Sequence, residues 1–140
     1  MEVQVEHLGS VQFEIKARKH AIACDQPENA GGFDEAMTPP ELMLAALGSC
    51  AGFYAVAYLK KKGLTIPGTR VHVSADKVHH PARMDNFQIA VTAPVELNDE
   101  LRAGIEQAVH HCLIHNTLLH PPTISLKVEA SAGGAAAAAG

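Results

Sequence analysis

The three cysteines of this 140-residue chain, Cys24, Cys50 and Cys112, form no Cys-x-x-Cys pair, which excludes a zinc ribbon and a thioredoxin-type motif. Nor is there a phosphate-binding glycine loop, a serine nucleophile elbow or a dinucleotide fingerprint. Basic residues are scattered, with only Lys60 to Lys62 contiguous, and the formal charge is −4, so no positive stripe is available for nucleic acid. A positively charged start followed by an apolar segment is also missing, which argues against a secretory signal and makes the cytoplasm the expected compartment. No internal repeat is visible. The length leaves room for one domain, expected over residues 1–130, and a tail of alanine and glycine over 131–140 that has no side chain large enough to anchor it.

One long stretch lacks charge altogether. From Leu42 to Leu59 no charged residue interrupts 18 residues, and apolar or small side chains occupy every helical face, so this helix is predicted to be buried. Thr38, Pro39, Pro40 and Glu41 ahead of it read as a capping box with proline in the first turn. The run approaches the length of a membrane span, but its many alanines and glycines make it only mildly hydrophobic, and its flanks read as amphipathic strands; no membrane is expected. Gly48 and Gly52, four apart on one face, predict close approach of another backbone, which a second subunit can supply.

Around that helix the pattern is of strands. Val3 and Val5, then Val11, Phe13 and Ile15, alternate on either side of Leu8-Gly9-Ser10, which predicts a hairpin. His20 to Cys24 reads as a third strand and Asp25 to Met37 as a loop. After the helix, Val71 to Ala75 and Phe87 to Val91 alternate about a turn at His79 to Asp85. Asn98 is a plausible N-cap for an amphipathic helix running through Leu101, Ile105 and Val109 to Cys112. Leu113 to Leu119 continues irregularly, and Ile124, Leu126 and Val128 alternate as a last strand. The class is α+β, largely antiparallel.

Chemistry is restricted to a few residues. Cys50 sits mid-helix, where no helix terminus lowers its pKa, so a reactive thiolate needs a cation from elsewhere; a small apolar filler is the plainer reading. Cys112 admits the same two readings. His111 and His115, spaced i, i+4, admit a metal site, against which stand the absence of a third spaced ligand and the ordinary wet face of an amphipathic helix. Met43, Phe53, Tyr54 and Tyr58 are candidates for an apolar pocket or for core.

Thr38-Pro39-Pro40-Glu41-Leu42, Leu44-Ala45-Ala46-Leu47-Gly48-Ser49-Cys50, and Cys112 with His115-Asn116-Thr117-Leu118 resemble the osmotically inducible protein C and organic hydroperoxide resistance family, in its OsmC-like branch. Arg18-Lys19-His20, Asp25-Gln26-Pro27 and Gly31-Gly32 extend the likeness over nearly all but the tail. The resemblance implies an intertwined homodimer, with sheets wrapped about central helices and sites between subunits. It further implies a peroxidase in which Cys50 attacks an organic hydroperoxide, Cys112 resolves the sulfenic acid as a disulfide, and an external dithiol resets the pair, with no cofactor. Arg18 would be the cation that steadies the thiolate, against the plainer reading of an exposed strand-end arginine. Classical members carry a glutamate ten residues before the cysteine, where this chain has Pro40; Glu41 follows, about 13 Å along the helix from Cys50 and better placed to cap. That departure favours an alternative, an OsmC-like redox-sensing or small-molecule-binding protein with little turnover. Cys24 matches no cysteine of the family.

Overall fold

A computed structural model describes residues 1–130; the tail expected over 131–140 lies outside the described residues. The N-terminal alternation yields an antiparallel sheet of β1 (Gln4–Gly9), β2 (Gln12–Ala17) and β3 (His20–Cys24), in that order. Its first turn falls at Ser10 and Val11, so Val11 is not a strand residue; Gly9 at φ 143° and Ser10 at φ 47° supply the positive φ that a tight hairpin uses. The loop after β3 contains one 3-10 turn, Glu28–Ala30, and leads to α1 (Pro39–Lys61).

The capping box that starts α1 is complete. Thr38 Oγ1 accepts from the Glu41 N–H at 3.5 Å, and Glu41 Oε2 accepts from the Thr38 N–H at 2.7 Å and hydroxyl at 2.8 Å. Burial is not all round as predicted. Within one chain only the i, i+4 stripe Leu47, Ala51, Ala55 and Leu59 is buried, because β4, β5 and two later helices cover one side of α1 and leave other apolar faces open. α1 is long and apolar enough to cross a bilayer, with a mean hydropathy of 1.7, yet it packs against strands and helices of its own chain as a core helix does.

β4 (Arg70–His79) and β5 (Ala82–Thr92) form a two-stranded ribbon. The turn predicted over His79 to Asp85 contracts to His80 and Pro81, because pairing continues through Val78 with Arg83 and Lys77 with Met84. The ribbon lies on the glycine face of α1. A Cβ at Gly48 would stand 3.0 Å from Val73 Cγ2, and one at Gly52 3.3 Å from Val71 Cγ2. The close neighbour of that face is therefore β4 of the same chain, a correction to the expectation of a second subunit there.

α2 (Asp99–Val109) starts at Asn98, whose Oδ1 accepts from the Leu101 N–H at 2.8 Å. Its Ile105 joins Ala55 and Leu59 in the core, with Tyr58, Leu97 and Val109 packed around them. Burying Leu59 alone contributes about 1.5–3 kcal/mol. A short helix, α3 (Leu113–Leu119), follows where irregular chain was predicted. The last predicted strand does not form: Ile124, Leu126 and Val128 have no ladder partner among the described residues and are 88, 89 and 86% exposed. Alternation marks a propensity, and a strand also needs an edge to pair with.

Candidate functional site

Cys112 was expected at the end of one helix and lies instead at the start of the next. α2 stops at Val109, the Cys112 N–H bonds the Val109 carbonyl at 2.9 Å, and the Asn116 amide closes the turn by donating to the His110 carbonyl at 2.9 Å and the Cys112 carbonyl at 3.1 Å. Cys112 then has extended geometry, φ −60° and ψ 122°, and its Sγ accepts from the His115 N–H at 3.4 Å, the N-cap position that serine, threonine or aspartate usually takes.

This turn carries Cys112 onto the mid-helix thiol of α1. Cys50 and Cys112 are free thiols that lie near enough to shift each other's ionisation, Cys112 fully buried and Cys50 half-buried. Burial works against the Cys50 thiolate, but the Cys112 thiol and the backbone N–H groups of Ile114 and Leu113 outweigh it and hold Cys50 below the ordinary thiol value. Burial pushes Cys112 up, and its bond to Cys50 and the charge there add to this against the His115 and Ile114 N–H groups. The pair titrates as a unit in which the more accessible sulfur ionises first. Chemically this is an ionisable, reachable sulfur beside a protonated, sheltered one.

The remaining candidates are spread apart. The lowering at Cys50 comes from a thiol and two amides, with no cation contributing among the described residues. Arg18 lies in the turn between β2 and β3 at φ 57°, in the N-terminal sheet, and enters none of the ion pairs among the described residues. Glu41 is committed to the cap: the Thr38 N–H, then its hydroxyl, hold the carboxyl below its ordinary value against desolvation, with a smaller contribution from Lys77. His111 is exposed in the turn before α3, so the predicted i, i+4 pair with His115 on one helix does not form; the His115 ring stacks on His110 instead, centroids 5.5 Å apart. Among the described residues no three His, Cys, Asp or Glu side chains cluster as a metal site would require.

Of the pocket candidates, Met43 lines a cavity of about 520 Å³ bounded by α1, β5 and α3, together with Leu47, Phe87 and His115. Phe53 is exposed and edge-on to Tyr54 at 5.2 Å. Tyr58 packs on Gly104 of α2, where any Cβ would strike its phenol. A neighbouring cavity of about 510 Å³ lies between β5 and α2 and shares Phe87, Ile89 and His115 with the first.

Sequence reasoning missed two features. The amides of Leu113 and Ile114 carry no side-chain signature, although the break between the α2 stripe and the second apolar run at 113–119 marks a helix start. Asp25 was read as loop and is fully buried. Its carboxylate accepts from the N–H groups of Gln26 at 2.8 Å, Phe33 at 3.1 Å and Glu35 at 3.1 Å, and from the Gln12 amide at 3.1 Å. Burial raises its pKa, and these four donors together bring it below the ordinary carboxylate value. Gly32 is needed beside it, since a Cβ there would overlap the Gln26 carbonyl. Cys24 is buried one residue earlier.

The OsmC-like protein family matches residues 32–127 of this chain. No curated protein gives a sequence match. Among solved structures, a Psychrobacter arcticus 273-4 protein named for an osmotic stress induced and detoxification response superposes with a TM-score of 0.76 at 22% identity, covering 82% of this chain and 85% of that one. An OsmC like protein from Mycoplasma pneumoniae gives 0.69 at 18% identity, covering 84% and 86%. An organic hydroperoxide resistance protein from Elizabethkingia anophelis, with thiocyanate bound, gives 0.62 at 17% identity, covering 84% and 88%. At these identities the structures show a shared fold. With the family match extending over more than half of its length, from the loop before α1 to beyond α3, the chain belongs to the OsmC-like protein family.

Proposed function

We propose that this protein is a thiol-dependent peroxidase for organic hydroperoxides. The observation that carries the reading is the Cys50–Cys112 contact, with the accessible sulfur lowered and the sheltered one raised. The Cys50 thiolate attacks the terminal oxygen of R–O–O–H; the O–O bond breaks, the alkoxide takes a proton and leaves as alcohol, and Cys50 becomes a sulfenic acid. Cys112 then attacks that sulfur, expelling hydroxide, which leaves as water with the Cys112 proton. An external dithiol returns both cysteines to thiols by exchange, which fits a reducing cytoplasmic setting. The names of several structural neighbours as organic hydroperoxide resistance proteins lend support. Catalysed consumption of cumene hydroperoxide with dithiothreitol is the test. The reading requires turnover in the native protein and none in Cys50→Ser.

The working unit in this proposal is a homodimer. In a single chain Ile124, Leu126, Val128, Val3, Val5, Ile22 and Phe53 are exposed, and β1 presents an edge unpaired among the described residues, the surface that a second copy would cover. Light scattering of the purified chain at twice the monomer mass is the expected result; a monodisperse monomer contradicts it. The alternative of a sensing or binding protein with little turnover is favoured by one observation, the commitment of Glu41 to the helix cap beside Pro40. It requires a single stoichiometric oxidation with no sustained turnover.

A further inference from the structure

Burial opposes the Cys50 thiolate, and what offsets it comes from three consecutive residues, the Cys112 thiol and the N–H groups of Ile114 and Leu113. Those residues are the cap and first turn of α3, so the electrostatics of the site depend on where that turn sits over α1. Side-chain packing does little to fix it. None of the seven residues of α3 is buried, Leu113 is 60% exposed, and a helix of two turns is marginal by itself. Its cap is a sulfur at 3.4 Å, a weak acceptor.

The strongest tie is the carboxamide of Asn116. Its Nδ2 donates to the His110 carbonyl at 2.9 Å and to the Cys112 carbonyl at 3.1 Å. His110 is the C-cap of α2, where carbonyls are left without helical partners, and Cys112 is the N-cap of α3, whose carbonyl already accepts the Asn116 N–H at 3.0 Å. One nitrogen thus joins the end of one helix to the start of the next. This needs two hydrogens on a short stem. Asparagine has them, aspartate has none, serine and threonine have one, and glutamine is a methylene longer. Asparagine is also a poor helix former, since its side chain competes for nearby backbone groups, and here that competition acts across the turn. Thr117 beside it shows the contrast: its hydroxyl bonds the Leu113 carbonyl at 2.9 Å, within α3, and joins nothing to α2.

We propose that Asn116 is a positioning residue for the thiol pair, its carboxamide clamping the α2–α3 turn so that Cys112 and the Leu113 and Ile114 amides stay beside Cys50. Its bonds go to carbonyls, and it acts on Cys50 only through the turn. The proposal deepens the peroxidase reading and rests on it for the effect on rate, while the effect on ionisation stands without it. Of the titratable groups on α1 and on the elements packed against it, Cys112 alone contributes to the Cys50 shift; Tyr54 of α1, His110 and His115, Arg102 and Glu106 of α2, Lys77 of β4 and Arg83 of β5 do not.

The test follows the pH dependence of Cys50 alkylation by iodoacetamide, mapped by mass spectrometry so that Cys24 and Cys112 are read separately, in native protein, Asn116→Ala, Asn116→Leu and Thr117→Ala. Alanine and leucine favour helix over asparagine, so these variants remove the clamp without weakening α3 itself. The expected result is a Cys50 profile displaced upward by about one pH unit in both Asn116 variants, which is about tenfold less thiolate at neutral pH, and an unmoved profile in Thr117→Ala. Thiol oxidation by cumene hydroperoxide then falls about tenfold at neutral pH and recovers as the pH is raised past the displaced profile. An unmoved profile in the Asn116 variants overturns the proposal, and so does an equal displacement in Thr117→Ala, which makes any loosening of α3 sufficient. Loss of the native circular dichroism in both Asn116 variants also overturns it, since the side chain is then needed for folding and not for placement. A displaced profile in protein whose native form consumes no hydroperoxide upholds the clamp and rejects the peroxidase reading, so the two failures are told apart.

Discussion

Two buried polar centres in this chain are built in opposite ways. At Asp25, one carboxylate is closed off by four donors, three of them amides from its own loop, and nothing about it is left to react. At Cys50, two amides and a thiol come from a different segment, α3 and its cap, and the two sulfurs are shifted in opposite directions, one toward ionisation and one away from it. The first arrangement satisfies a charge and so fixes a loop. The second prepares a difference between two identical functional groups, which is what a stepwise oxidation uses.

The largest expected effect comes from breaking the second centre. Cys50→Ser lowers peroxide turnover by more than about 10⁴-fold, the scale seen when a covalent nucleophile is removed, while the urea midpoint stays close to native. Retained turnover would leave the thiol pair without a role. Cys112→Ala removes a donor to Cys50, so the Cys50 thiolate, followed by its ultraviolet absorbance against pH, appears at higher pH than in native protein. In the same variant, oxidation by peroxide stops at the sulfenic acid, detected by trapping with dimedone. An unmoved titration would mean that the amides of Leu113 and Ile114 do all the work.

Breaking the first centre affects stability and spares chemistry. The Asp25 pKa is lowered in the fold, so its contribution is complete above the ordinary carboxylate range and is lost as pH falls through the folded-state value. Asp25→Asn therefore lowers the thermal midpoint at neutral pH, by an amount that shrinks toward strongly acidic pH, and leaves the rate of Cys50 oxidation unchanged. A pH-independent difference would contradict a charged Asp25. The smallest effects belong to the helix cap. Thr38→Ala costs about 1 kcal/mol in chemical denaturation. Glu41→Gln, which can still cap, changes stability and peroxide turnover little; a tenfold loss of turnover in that variant would give Glu41 a role at the thiol.

Legibility in the sequence followed the range of the interaction that fixed each feature. The α1 cap, the β1–β2 and β4–β5 alternations and the Asn98 cap are local, and they appear where composition and spacing put them. Gly48 and Gly52 announced a close contact, but spacing could not say that its partner was β4 some twenty residues on. The buried state of α1 was over-read, because freedom from charge reports what a helix tolerates and not how many neighbours one chain supplies. Cys112 as an N-cap was hidden, since cysteine is not among the usual capping residues and two histidines bridge the break. Ile124, Leu126 and Val128 show the same limit from the other side, a strand pattern that finds no ladder partner among the described residues.

The most direct test of the central claim is to mix reduced protein with one equivalent of cumene hydroperoxide, quench with a thiol-blocking reagent, and map the disulfides by mass spectrometry. A rapid, stoichiometric Cys50–Cys112 bond, formed faster than with hydrogen peroxide, is the predicted result. Oxidation confined to Cys24, or two free thiols at Cys50 and Cys112 after the peroxide has been consumed, would contradict it.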